Sequence, residues 1–211
     1  MKLLSMIAGI FQFFSFYADP FEKKVDRFLN RLNQYSRKRL LELMQEDLVK
    51  LTIFFEYKFK GYKKLKKGKR RHLYESAEII STDFQRFFET NQKEISRKQE
   101  SITLPNELRM DERMTYLLGI MEYLKPGSRL QYEESATFQK LLRDPASGIL
   151  SGDCNQITTL YIYLYSRRYS VTDLQVKILP EHVCLHYKGV DIETTSGTLT
   201  RYSAYTFLSP V

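Results

Sequence analysis

The hydrophobic period of this 211-residue chain changes at Leu174, and no other feature constrains its fold as much. Upstream, apolar residues recur at steps of three and four, which lays them on one face of a helix. Downstream they alternate, which suits strands that bury one side. Helices followed by strands, without interleaving, predict an α+β fold with an antiparallel sheet near the end.

Residues 21–57 carry the first helical pattern, with Val25, Phe28, Leu29, Leu32 and Tyr35 followed by Leu40, Leu41, Leu43, Met44 and Leu48. A second helix is predicted over 76–98, where Ile79, Ile80, Phe84, Phe87, Phe88 and Ile95 form the apolar side. Leu104-Pro105-Asn106 breaks the pattern and marks a domain boundary. Two more helices are expected over 107–124 and 133–143, stopped by Lys125-Pro126-Gly127 and Asp144-Pro145. This divides the chain into an apolar segment 1–18, a helical region 19–104 and a domain 105–211.

Charge is concentrated in one place. The chain carries +8, and residues 58–71 hold nine Lys and Arg with no acid, so taking nine from +8 leaves −1 for the remainder. The run reads as a connector or a helix end, bracketed by Gly61 and Gly68. No nucleic-acid-binding motif accompanies it, so nucleic acid is not the expected partner. A plain solvated loop is the default reading of residues 58–71 and an anionic membrane surface the competing one, which would combine them with residues 3–17, mainly apolar yet too short to span a bilayer comfortably. That segment reads as a signal, a membrane-touching stretch or a buried helix, which leaves both a cytoplasmic and an exported or membrane-associated location open.

Two Cys and three His show no zinc-binding spacing, so neither a metal nor a cofactor is expected, and two Cys are too few for a disulfide framework. The chemistry concentrates at Ser151-Gly152-Asp153-Cys154-Asn155-Gln156. Asp153 is a good N-cap, Gln156 stands where a capping box needs it, and 157–165 is apolar enough for a buried helix. Cys154 then occupies the first turn, where the helix dipole and unpaired N–H groups favour a thiolate and an oxyanion.

Further on, 183–187 and 190–193 alternate around Lys188-Gly189, the signature of a tight hairpin. A two-residue turn sets Tyr187 opposite Val190. Cys184 then faces Glu193, His186 faces Asp191, and His182 lies diagonal to Glu193, all on one side of the sheet. Val183, Leu185, Tyr187, Val190 and Ile192 fall on the other. An imidazole able to take a thiol proton and an acid to orient it are therefore both at hand.

The order Gly152-Asp153-Cys154 at a helix start, His182-Val183 at a strand start, then Glu193-Thr194-Thr195 on the return strand resembles the transglutaminase-like superfamily. The resemblance spans roughly residues 107–200. It implies a papain-like core and a triad of Cys154 as nucleophile, His182 as base and Glu193 as orienting acid. It also implies acyl transfer or hydrolysis at a protein or peptide-like amide, without a cofactor. The family's acid is usually Asp, so Asp191 is the competing third member, and the Trp common after the His is absent here. The alternative is a catalytically inactive binding or scaffold protein that acts through its helical or basic region.

Overall fold

The computed structural model describes residues 16–30, 37–59, 65–134, 136–202 and 206–208. It is a mixed α+β structure in which helices precede a small antiparallel sheet. Residues 1–15 of the apolar segment lie outside the described residues.

Helix α1 (Pro20–Leu29) starts on Asp19, whose carboxylate accepts the Phe21 N–H at 2.7 Å, with Pro20 in the first position where its missing N–H costs nothing. Helix α2 (Arg37–Phe59) is broken in its middle by Asp47, whose φ of −167° and ψ of 94° are not helical. The Asp47 carboxylate accepts the Lys50 N–H at 2.9 Å and so caps the second half. Helix α3 (Lys67–Ser101) and helix α4 (Glu112–Tyr123) cross where Gly119 brings the backbone against the Phe88 ring. After the single turn α5 (Phe138–Leu141) comes α6 (Cys154–Ser166). Tyr161, Tyr163 and Tyr165 are all buried, because α6 is covered on every side. Such rings bury about 150–250 Å² each, which makes α6 the central hydrophobic element.

Strands β1 (Leu130–Tyr132) and β2 (Leu150–Gly152) form a parallel pair. The main sheet has β3 (Gln175–Leu179), β4 (His182–Tyr187), β5 (Val190–Glu193), β6 (Thr198–Thr200) and β7 (Thr206–Leu208) in the order β6-β5-β4-β3-β7. Tyr187 pairs with Val190 and His186 with Asp191, the register expected from a two-residue turn. Lys188 and Gly189 both take positive φ, 42° and 81°, as the tight turn requires. Leu185, Tyr187, Val190 and Ile192 join one core cluster with the helices.

That cluster includes side chains from both sides of residue 105, the expected boundary, which falls just after α3. Several element expectations are corrected. Residues 21–57 give two helices, α1 closed by Asn30 and α2 bent at Asp47, with 31–36 outside the described residues. The helix expected over 133–143 is one turn: the Glu133 N–H goes to the Gly152 carbonyl at 2.9 Å, and the turn starts only at Phe138, capped by Thr137. The helix expected from 107 starts at Glu112, where Asp111 accepts the N–H groups of Arg113 and Met114.

The basic run is not simply a connector, since Lys58 and Phe59 end α2 and residues 67–71 begin α3. One of its members is not on the surface at all. Arg70 is 1% exposed and binds Glu22 through Nε and Nη2 at 2.7 and 2.9 Å. Glu22 also accepts the Tyr74 hydroxyl at 2.6 Å and the Ala18 N–H at 2.7 Å. The Tyr57 ring lies 4.2 Å from the guanidinium carbon. This pair fastens the start of α1 to the start of α3.

Candidate active site

Asp153 fixes where α6 begins. Its carboxylate accepts the N–H groups of Asn155 and Gln156 at 2.8 and 3.3 Å, and the Gln156 side chain accepts the Asp153 N–H at 3.0 Å. Gln156 and the Asn155 N–H are thereby committed to capping. Gly152 lets β2 approach: a Cβ there would meet Ile157 Cγ1 and Leu141 Cδ1 at 3.2 Å. Cys154 is therefore held in the first position of α6, 7% exposed, where α6 packs on β4.

Three backbone N–H groups, from Val183, Asn155 and Cys154 itself, pull the thiol pKa down. They do not prevail. Burial pushes the Cys154 thiol up, Asp153 adds to the rise, and the net shift is upward. Desolvation of the charged sulfur thus outweighs the N–H groups that the helix position brings to it.

His182 opens β4, one residue before the Val183 N–H that reaches the sulfur. Its Nε2 lies 2.8 Å from each carboxylate oxygen of Glu193. Glu193 also accepts the Thr195 hydroxyl at 2.8 Å and the Tyr202 hydroxyl at 2.9 Å. With Nε2 engaged, Nδ1 is the ring nitrogen left for proton transfer. Among the described residues no hydrogen bond joins His182 to the Cys154 sulfur.

The second acid has a different set of partners. Asp191 accepts the Lys177 ammonium at 2.7 Å, His186 Nδ1 at 2.6 Å and the Tyr202 N–H at 2.7 Å. His186 Nε2 accepts the Gly189 N–H at 3.2 Å, so its proton sits on Nδ1 and the ring braces the hairpin. Burial pushes the Asp191 carboxyl up, but Lys177, the Tyr202 N–H and His186 outweigh it and hold it below the ordinary value. Cys184 is fully buried, and burial pushes its thiol up to about 12. Neither cysteine is in a disulfide.

The structure thus brings Glu193 to His182 by direct contact, brings Cys154 to the adjoining strand backbone, and leaves Asp191 with other partners. Sequence reasoning missed Lys177, Thr195 and Tyr202. Lys177 takes a polar position in the alternation of β3, and its pairing with Cys184 sets it on the side that carries the acids, a signal that was available. Thr195 follows the acid directly in sequence. Tyr202 gives no local signal, because it reaches both acids only after β6 has turned back along β5.

In comparisons with known proteins, no family model, curated protein or solved structure matches the chain.

Proposed function

We propose that this protein performs thiol-dependent acyl transfer or amide hydrolysis on a protein or peptide-like substrate, within a papain-like, transglutaminase-like core. The observation that carries the reading is the contact of His182 Nε2 with both Glu193 oxygens at 2.8 Å, on the strand against which the Cys154 helix packs. A helix bearing the thiol packed on a strand bearing the imidazole supports the core assignment.

In this reading His182 Nδ1 takes the Cys154 proton as the sulfur adds to the carbonyl carbon. The Asn155 N–H is committed to Asp153, so the Cys154 N–H is the backbone donor for the oxyanion. The imidazolium returns the proton to the leaving amine as the C–N bond breaks, leaving a thioester. Water or a second amine then attacks the thioester with His182 again acting as base. Glu193 holds the ring with Nε2–H donated to its carboxylate and stabilises the imidazolium formed midway.

One observation favours a second reading, a binding protein that keeps the fold without turnover. The thiol is buried and its pKa is raised, so it is not a preformed nucleophile. Incubation with p-nitrophenyl acetate and mass spectrometry of the peptide bearing Cys154 separates the two. The enzyme reading expects nitrophenolate release and an acetyl group on Cys154, both lost in Cys154→Ala and slowed in His182→Ala. Acylation no faster than that of free cysteine, or release that survives Cys154→Ala, overturns it.

A further inference from the structure

In sequence, some 40 residues separate the apolar segment 1–17 from the basic run 58–71. In the fold Phe16, near the end of the first, meets Lys58 and Arg70 of the second. The Phe16 carbonyl accepts Arg70 Nη2 at 3.2 Å, and the Phe16 ring lies 5.4 Å from the Tyr57 ring. The same ring has the Lys58 ammonium 6.0 Å and the Arg70 guanidinium 5.6 Å from its centre. Phe16 therefore sits where α2 ends and α3 begins.

The surface there is mixed in a particular way. Phe16 and Phe59 are 52% and 68% exposed, two of the few large apolar side chains left to solvent among the described residues. Lys66 and Arg71, exposed, and Lys69, half-buried, lie at the start of α3 in the same stretch of chain as Arg70, whose guanidinium meets the Phe16 ring. These three form no ion pair among the described residues. Two other basic residues of the run are used internally, Arg70 by buried Glu22 and Lys58 by Asp26 at 2.7 Å. A solvated connector has no need of exposed phenylalanines, and Arg70, anchored by Glu22, holds Phe16 in place through its backbone carbonyl.

We propose that this end of the molecule docks on an anionic lipid bilayer, with Phe16 and Phe59 entering the headgroup region and Lys66, Lys69 and Arg71 facing the lipid phosphates and carboxylates. Apolar insertion combined with a basic patch is the pairing that gives stable peripheral attachment, since either signal alone binds weakly and reversibly. Aromatic and basic side chains also suit single-stranded nucleic acid. The sequence that leads into Phe16 favours lipid, because Leu3, Leu4, Ile7, Ile10, Phe11, Phe13 and Phe14 offer bases and phosphates little beyond two or three rings. The proposal does not depend on the catalytic reading.

Sedimentation of the full chain with phosphatidylcholine vesicles, with and without phosphatidylserine, tests it. Pelleting is expected only with phosphatidylserine, decreasing as salt is added. Each of Lys66→Gln, Lys69→Gln and Arg71→Gln should weaken binding about fivefold. Phe16→Ser with Phe59→Ser should weaken it further while circular dichroism stays unchanged. No pelleting, equal pelleting on both vesicles, or binding indifferent to salt and to these exposed residues overturns the proposal. Loss of vesicle binding to an equimolar single-stranded oligonucleotide also overturns it.

Discussion

Glu193 holds Nε2 of His182 between its two carboxylate oxygens, each 2.8 Å away, while Asp191, two residues earlier on the same strand, binds His186 and Lys177 instead. The two acids share a face of the sheet but not a task. Glu193 orients a half-exposed ring beside the Cys154 helix, whereas Asp191 neutralises an ammonium that is almost wholly buried.

Substitution should separate the two tasks. Glu193→Gln is expected to slow acylation of Cys154 by about 10²–10⁴-fold with little change in stability. Asp191→Asn leaves the Lys177 ammonium buried without its counter-charge, which should cost about 3–5 kcal/mol in urea denaturation. His186→Ala should slow acylation less than His182→Ala, and an equal loss would mean that the wrong imidazole has been assigned as base.

The Asp191 carboxyl also predicts a pH dependence. Its pKa is lowered in the folded chain, because Lys177, the Tyr202 N–H and His186 overcome the effect of burial. A lowered folded pKa stabilises the fold above the unfolded carboxylate value of about 4, and that contribution is lost as pH falls through the folded value. Urea midpoints measured between pH 7 and pH 2 should therefore fall less steeply below pH 4 in Asp191→Asn than in the unaltered protein.

Tyr202 is expected to position Glu193. Its hydroxyl donates to Glu193 at 2.9 Å, a bond that pushes the phenol up to about 12, and its N–H donates to Asp191. Tyr202→Phe removes only the first bond. The thermal midpoint should drop by no more than corresponds to about 1 kcal/mol. The pH profile of Cys154 acylation should shift, because Glu193 loses a donor that stabilises its charge. An unchanged profile would make Tyr202 a packing residue only.

The buried Glu22–Arg70 pair should prove sensitive to truncation of either partner. Glu22 and Arg70 are 0% and 1% exposed, so Arg70→Met leaves a carboxylate in the core and should cost about 3–5 kcal/mol. Arg70→Lys should not rescue it, since an ammonium cannot reproduce the two-point contact with Glu22 and the bond to the Leu65 carbonyl. Denaturation of both variants measures this.

Gly119 should resist even the smallest side chain. A Cβ there would lie 2.5 Å from Phe88 Cδ2 and 2.9 Å from Cε2, across the α3–α4 crossing. Gly119→Ala is expected to destabilise by about 1–3 kcal/mol, despite the better helix propensity of alanine. A neutral or stabilising result would show that the Phe88 ring can move aside.

By itself the sequence determined what depends on near neighbours. Asp153 and Gln156 specify where α6 starts, and hence that Cys154 occupies its first position. Lys188-Gly189 specifies a two-residue turn, so the register of β4 on β5 and the shared face of His182, His186, Asp191 and Glu193 follow from strand geometry. Tertiary structure decided what depends on residues far apart in the chain. The helix expected over 133–143 shrank to the single turn α5, and the Glu133 N–H went instead to the Gly152 carbonyl, a partner distant in the chain that local propensity does not foresee. Burial of Arg70 took one charge out of the basic run. The state of Cys154 was decided by the packing of α6 against β4, because desolvation is set by everything that surrounds a sulfur and no short motif records it.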